Sequence, residues 1–322
     1  MAKVYFIVNP KYRENPLVFR DGFDYNVTDT CDFIKGGTNK MATVHIMTDS
    51  TSDLPKNELM KRGISVVPLY VHFDQEVYRD GVDIDPAMIY SKVDQTGIFP
   101  KTSSPSPKDF IDAFKPIIDK GHHILYIGLS SQISSTIQNA RIAASEFPDH
   151  MVEVIDSLNL SAGIGMLVLE ASDLALKGES LESITEKIHE MVPKIKTYFA
   201  VDTLQYLHKG GRCSSMENLV GNMLRIRPIL HVENGKIIVQ KKIRGKREKL
   251  VEDMMKFTDS EPSTVKTSRL IVNHSACPED AEKLRQHLLN TLSPDEVLMT
   301  EAGCVISSHC GPKTFSVVYR IK

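Results

Sequence analysis

The chain has 322 residues, 41% hydrophobic composition, and 39 basic against 41 acidic side chains, a formal net charge of −2. That length gives one large or two medium domains with a sizeable core. The near-neutral balance excludes a dominating attraction to nucleic acid or to anionic membrane, so any electrostatic partner has to use a local patch.

Residues 1–41 open with one strand-like run, Val4 to Val8, and lack the basic start, long apolar stretch and cleavage site of a secretory signal. The chain restarts at Met41-Ala42 in the manner of an initiator methionine. Residues 1–41 are therefore expected to be an upstream extension or a fused segment, with a small subdomain as the alternative. From 43 onward, apolar runs of strand length alternate with amphipathic stretches, the pattern of an α/β fold with a mainly parallel sheet flanked by helices. Val44 to Thr48 reads as the first strand, and Ser52-Asp53-Leu54-Pro55 opens a helix that stops at Gly63. Ile64 to Phe73 reads as one further strand despite Pro68, and 78–85 as a polar turn. Helices are expected over 107–120, 133–147, 162–177 and 181–194, with strands at 124–127 and 152–155.

A second α/β lobe is expected to begin near 198–201, which divides the chain into lobes of 42–200 and 201–322. It holds the turn Lys209-Gly210-Gly211-Arg212, a helical stretch ending near Ile226, and a hairpin in which 227–232 and 236–242 flank Glu233-Asn234-Gly235. Strands are expected at 270–273, 297–300 and 315–320. The longest strongly apolar run, around Ala162 to Leu169, is too short to span a bilayer, so no stable membrane insertion is expected. Five scattered cysteines, Cys31, Cys213, Cys277, Cys304 and Cys310, suit free thiols in a cytoplasmic compartment better than a disulfide framework.

Three hydroxyl-rich loops carry the chemical signal: DSTSDLP at 49–55, TSSPSP at 102–107 and SSQISST at 130–136. The first and third follow apolar strands and precede helices, where backbone N–H groups and hydroxyls face outward from a sheet edge and bind anions. Neither a phosphate-loop lysine nor a glycine-rich dinucleotide fingerprint accompanies them, which argues against nucleotide chemistry. Gly128-Leu129-Ser130-Ser131-Gln132 begins like a nucleophile elbow but ends in Gln where the strained turn needs a small residue. A serine hydrolase using Ser130 or Ser134 on a small ester or acyl substrate is the alternative function. Gly163-Ile164-Gly165 reads as close packing within a helix. His274, His309, Cys277, Cys304 and Cys310 lack the spacing of a metal site, and no metal or cofactor is expected. Neutral donors converging from several loops suit a carboxylate, with Arg212 and His309 as the cationic or donor partners.

Read together, DSTSDLP, TSSPSP, GLSSQISST, VIDS at 154–157, VDTLQYLHKGGRCS at 201–214, RPIL with ENGK at 227–236, KKIRGKRE at 241–248 and SSHCGPKT at 307–314 resemble the DegV family of bacterial fatty-acid-binding proteins. The resemblance runs in order from about 42 to 322. It implies a two-lobed α/β protein that holds one long-chain fatty acid in a tunnel between the lobes. It also implies that the carboxylate is presented to a separate ATP-dependent fatty-acid kinase subunit, which forms acyl phosphate; this chain itself would not be an enzyme. By the family pattern Thr102, Ser134, Arg212 and His309 surround the carboxylate, and Ser103, Ser50 and Thr51 are possible accessories. Lys241, Lys242, Arg244, Lys246 and Arg247 correspond to the segment facing the kinase. Three positions depart from the pattern: Gln132, Ser135 and Lys313 stand where the family usually has glycine.

Overall fold

The computed structural model describes residues 43–212, 226–259 and 265–322. The 1–41 segment and the helical stretch expected before Ile226 lie outside them.

The N-terminal part is built on a parallel sheet. Strand β1 (Val44–Asp49) lies between β2 (Ser65–Val67) and β6 (His123–Gly128), and β7 (Val152–Asp156) completes the order β2-β1-β6-β7. The expected helix after β1 is displaced. Ser50–Ser52 form a single 3-10 turn, Asp53 takes a left-handed backbone, and helix α1 (Lys56–Arg62) starts only after Pro55. It ends at Gly63, whose φ of 64° supplies the left-handed cap the sequence promised.

The single strand expected over 64–73 is in fact two. Proline 68 has no N–H to donate, and the Leu69 N–H leaves the ladder to donate to Ser50 Oγ at 3.0 Å. The chain therefore passes from β2 into a separate antiparallel sheet, in which β3 (Tyr70–Phe73) pairs with β4 (Glu76–Arg79) and β5 (Lys101–Ser103). Strand β5 carries Thr102, so the second hydroxyl-rich loop begins as an edge strand.

Helices α2 (Pro86–Thr96), α3 (Pro107–Ile118), α4 (Thr136–Ala144), α5 (Ala162–Leu176) and α6 (Leu181–Met191) follow. Helix α3 shows why this sequence starts a helix where it does: Ser106 and Asp109 form a reciprocal capping box, and Pro107 occupies the first turn. Ala162 to Leu169 of α5 are all buried. The helix packs among Ile46, Leu125 and Ile127 of the first sheet and Phe199, Ile271 and Val318 of the second, in one continuous core. Close approach explains its glycines: a Cβ on Gly163 would stand 2.1 Å from Asn159 Oδ1, and one on Gly165 2.9 Å from the Ser52 carbonyl.

The second sheet has six strands in the order β10-β9-β8-β13-β11-β12, with only the β11–β12 pair parallel. They are β8 (Ile195–Ala200), β9 (Ile226–Glu233), β10 (Lys236–Arg244), β11 (Val265–Ser275), β12 (Val297–Glu301) and β13 (Thr314–Ile321). Because β8 belongs to this sheet, the change of sheet falls ahead of Ile195 and not at the expected 200. Helices α7 (Gln205–Lys209), α8 (Arg247–Asp259), α9 (Pro278–Leu292) and α10 (Cys304–Cys310) complete the part. The hairpin is as read from sequence, with Asn234 at φ 49° and Gly235 at φ 79°, the left-handed pair of a type I′ turn. The two sheets are also tied by charge: Glu170 and Asp173 of α5 pair with Arg269 and Arg320 of the second sheet, and Asp173 also with Arg62.

Lys313 is exposed and sits at φ 60°, the left-handed region that explains the family's glycine there. Lys313→Gly is expected to raise stability by about 0.5 to 1 kcal/mol, the relieved backbone strain less the added freedom of the unfolded chain. A denaturant midpoint lower than the parent's would contradict this account.

Candidate functional site

The first hydroxyl-rich loop is wired inward. Asp49, fully buried, accepts from Tyr126 OH at 2.8 Å, the Leu129 N–H at 3.0 Å, the Thr51 N–H at 2.9 Å and the Thr51 hydroxyl. Burial still pushes its carboxyl above the usual range, against the pull of these four donors. Thr51 is therefore spent on Asp49 and Ser50 on Leu69, and neither reaches the cavity described next. These two suggested accessories are structural.

The second and third loops meet. Ser104 Oγ and Ser135 Oγ are 2.7 Å apart, and Asn139 Nδ2 donates to the Pro105 carbonyl at 2.7 Å. Ser135, a departure from the family glycine, thus ties the loops together, and its φ of −83° asks for no glycine. Ser134 Oγ bonds Thr136 Oγ1 at 2.8 Å at the start of α4. Ser103 Oγ bonds His72 Nε2 at 2.7 Å.

Thr102, Ser103, Ser104, Ser134, Arg212 and His309 form the polar side of one cavity of about 60 Å³. Its other side is apolar: Leu69, Leu129, Ile133, Leu160, Ile237, Val305 and Ile306. Thr102 and Ser103 come from β5 of the three-stranded sheet and Ile237 from β10 of the six-stranded sheet, while the first hydroxyl-rich loop contributes none. Three of the four expected carboxylate ligands meet closely. Thr102 Oγ1 lies 2.8 Å from His309 Nε2, across 207 positions of sequence, and Arg212 stands near enough for its charge to disfavour a proton on His309. Ser134 lines the same cavity.

Burial first, and the Arg212 charge second, push the His309 pKa down to about 3. The ring is neutral at physiological pH. Its Nδ1 is buried and has no hydrogen-bond partner among the described residues. Arg212 donates to the Gly210 carbonyl at 2.6 Å; burial lowers its pKa, yet a guanidinium remains charged. The site therefore offers one fixed cation, a neutral imidazole and several hydroxyls at the mouth of an apolar wall. That set can hold a monoanion with an apolar tail.

The same geometry weighs against hydrolysis. Ser130 Oγ is buried and donates to the Gly235 carbonyl at 2.9 Å, fastening the third loop to the hairpin turn. Ser134 bonds Thr136, and among the described residues no carboxylate orients His309. Thr102 pairs with His309 in the cavity, but an imidazole titrating near 3 is a poor base at pH 7.

Of the basic run, Lys242, Arg244 and Lys246 are exposed and, among the described residues, make no ion pair. Lys241 is exposed but pairs with the buried Asp253 at 3.3 Å. Arg247 differs from the expectation of a partner-facing residue: it bonds Asp280 at 2.6 Å, Asp202 at 3.3 Å and the Lys313 carbonyl at 3.0 Å, and lies over the Phe315 ring. It is a tie within the second lobe. The sequence also gave no prominence to Asp53, Asp80 and Ser161, which hold the helix bearing His309. Their only local signal was a carboxylate beside a hydroxyl-rich or glycine turn.

A family described as "Uncharacterised protein, DegV family" matches residues 43–322. A DegV domain-containing protein of Caldanaerobacter subterraneus is 34% identical over 284 residues, covering 88% of this chain and all of the relative. A DegV family protein of Thermus thermophilus, described by its fatty-acid binding, superposes with a TM-score of 0.81 at 34% identity, over 87% of this chain and 100% of its own. DegV of Bacillus subtilis, called a fatty acid binding protein, gives 0.79 at 30% identity over 88% and 100%. A stearic-acid-binding protein of Eubacterium ventriosum gives 0.75 at 26% identity over 87% and 98%. With its ordered motifs, its two-lobed α/β architecture and these matches along nearly its whole described length, the chain belongs to the DegV family.

Proposed function

We propose that this protein binds one long-chain fatty acid between its lobes and presents the carboxylate to a separate ATP-dependent kinase subunit that forms acyl phosphate. The observation that carries the reading is the junction, in one cavity, of the Thr102–His309 pair and Arg212 with an apolar wall. A buried acyl tail contributes about 0.8 kcal/mol per methylene, so it dominates affinity while the head group fixes orientation. Thr102, Ser134, Arg212 and His309 take the carboxylate, with Ser103 beside them. The protein supplies substrate in this scheme, so it needs neither a nucleophile nor a cofactor. Lys242, Arg244 and Lys246 form the face toward the kinase. Among the described residues no helix is long and apolar enough to cross a membrane, and the reading places the protein in the cytoplasm.

Organic extracts of the purified protein should yield stoichiometric long-chain fatty acid by mass spectrometry. A protein consistently free of lipid would count decisively against the reading. Thr102→Ala and Ser134→Ala should each lower fatty-acid affinity by about tenfold, the cost of one hydrogen bond to a charged group; unchanged binding removes that residue from the head-group role. Mixing the protein with its cognate kinase and ATP should give acyl phosphate, which a purely regulatory binding module would not support.

A further inference from the structure

Helix α10 brings Val305, Ile306 and His309 to the cavity, yet its N-terminus has no cap of its own. The capping position is Gly303, and an added Cβ there would lie 3.2 to 3.4 Å from two carboxylates. Those carboxylates come from the other lobe. Asp53 Oδ1 accepts from the Gly303 N–H at 2.8 Å, and Asp80 accepts from the Cys304 N–H at 2.7 Å and the Val305 N–H at 3.2 Å. Asp53 is itself held by the Ser161 hydroxyl at 2.5 Å. We propose that Asp53 and Asp80 are positioning residues for the head-group site, fixing the helix that carries His309 in register with Thr102 on the opposite lobe. The proposal rests on the fatty-acid reading of that site.

Two observations favour a positioning role over routine capping. Both aspartates are buried, and burial raises the pKa of each, with mutual repulsion adding to the rise at Asp53. A serine or asparagine at 303 would cap a helix without placing two carboxyls in a dry site. What a local cap cannot do is join the helix to two loops of the N-terminal lobe. In addition, Ser161 is held at φ 52° and ψ −138°, a backbone that L-residues rarely adopt, and its hydroxyl is aimed at Asp53. The strain sits where the tether is assembled.

The test compares binding of hexadecanoate and hexadecanol to the full chain, because their affinity ratio isolates the head group from the tail. Asp53→Ala is expected to reduce that ratio by about tenfold, with hexadecanol binding little changed. Asp53→Asn should restore most of the ratio, since its amide oxygen still accepts from the Gly303 N–H. Ser161→Gly deletes the donor to Asp53 while relieving the strained backbone, so it should fold at least as well as the parent and still lose part of the ratio. The titration of the His309 ring, followed by NMR, should rise from near 3 toward the ordinary value in Asp53→Ala. A parent protein that binds acid and alcohol alike overturns the fatty-acid reading. A discriminating parent whose Asp53→Ala and Ser161→Gly variants discriminate equally, with the His309 titration unmoved, overturns the positioning role.

Discussion

Replacing Gly210 with alanine is expected to lower fatty-acid affinity by about a hundredfold, equivalent to losing two hydrogen bonds to a charged group. The new Cβ would stand 2.1 Å from His309 Nδ1, 2.7 Å from its Cε1 and 3.1 Å from the Tyr206 carbonyl. A Cβ cannot stand that close to a ring, and the two nearest atoms belong to the imidazole, which has to move. Any movement breaks its 2.8 Å contact with Thr102. The same residue anchors Arg212 through its carbonyl, so a shifted backbone disturbs the cation as well. Overpacking of this kind also destabilises by about 1 to 3 kcal/mol. Isothermal titration with a long-chain fatty acid, alongside a thermal melt, checks both effects. An unaltered affinity in a folded Gly210→Ala protein would mean that His309 and Arg212 do not touch the carboxylate.

Acidification is expected to destabilise the fold through two partly buried histidines, His45 and His309. Burial, then the neighbouring His122 and Lys120, push His45 down to about 4; burial, then Arg212, push His309 down to about 3. The unfolded chain takes up these protons near 6.5, whereas the folded chain resists them. The contribution of each histidine is therefore complete above pH 6.5 and is lost as pH falls toward the folded value. For His45 the loss between 6.5 and about 4 amounts to about 3 kcal/mol. Asp49, Asp53 and Asp80 oppose it: burial raises their folded pKa, so their penalty is present above it and relieved on acidification. The clean measurement is a difference. Chemical denaturation of the parent and of His45→Gln across this range should show the parent losing about 3 kcal/mol more stability. Parallel curves would show that His45 is not held neutral by the fold.

The strand, loop and helix order of the N-terminal part was legible because it rests on short-range rules: apolar runs, capping residues and glycine stops. Gly63 and the Asn234-Gly235 turn behaved as their local chemistry requires. The misread stretch at 64–73 shows the limit of such rules. Pro68 warned of an irregularity, but only the Ser50–Leu69 hydrogen bond explains why the chain leaves one sheet for another. The hydroxyl-rich loops were likewise visible as a group and not individually assignable. Ser50 and Ser130 turned inward while Thr102 and Ser134 faced the cavity, since each hydroxyl takes whichever partner the packed structure brings near it.

By itself, then, the sequence determined the α/β class, the family and the residue types that gather at the site, because spacing and composition are local properties. Tertiary structure decided which of those residues meet. Thr102 and His309 touch across 207 positions, Arg247 is drawn into the second lobe, and Asp53 and Asp80 cap a helix far along the chain. It also decided the protonation state of His309, because desolvation depends on surroundings that no single segment contains.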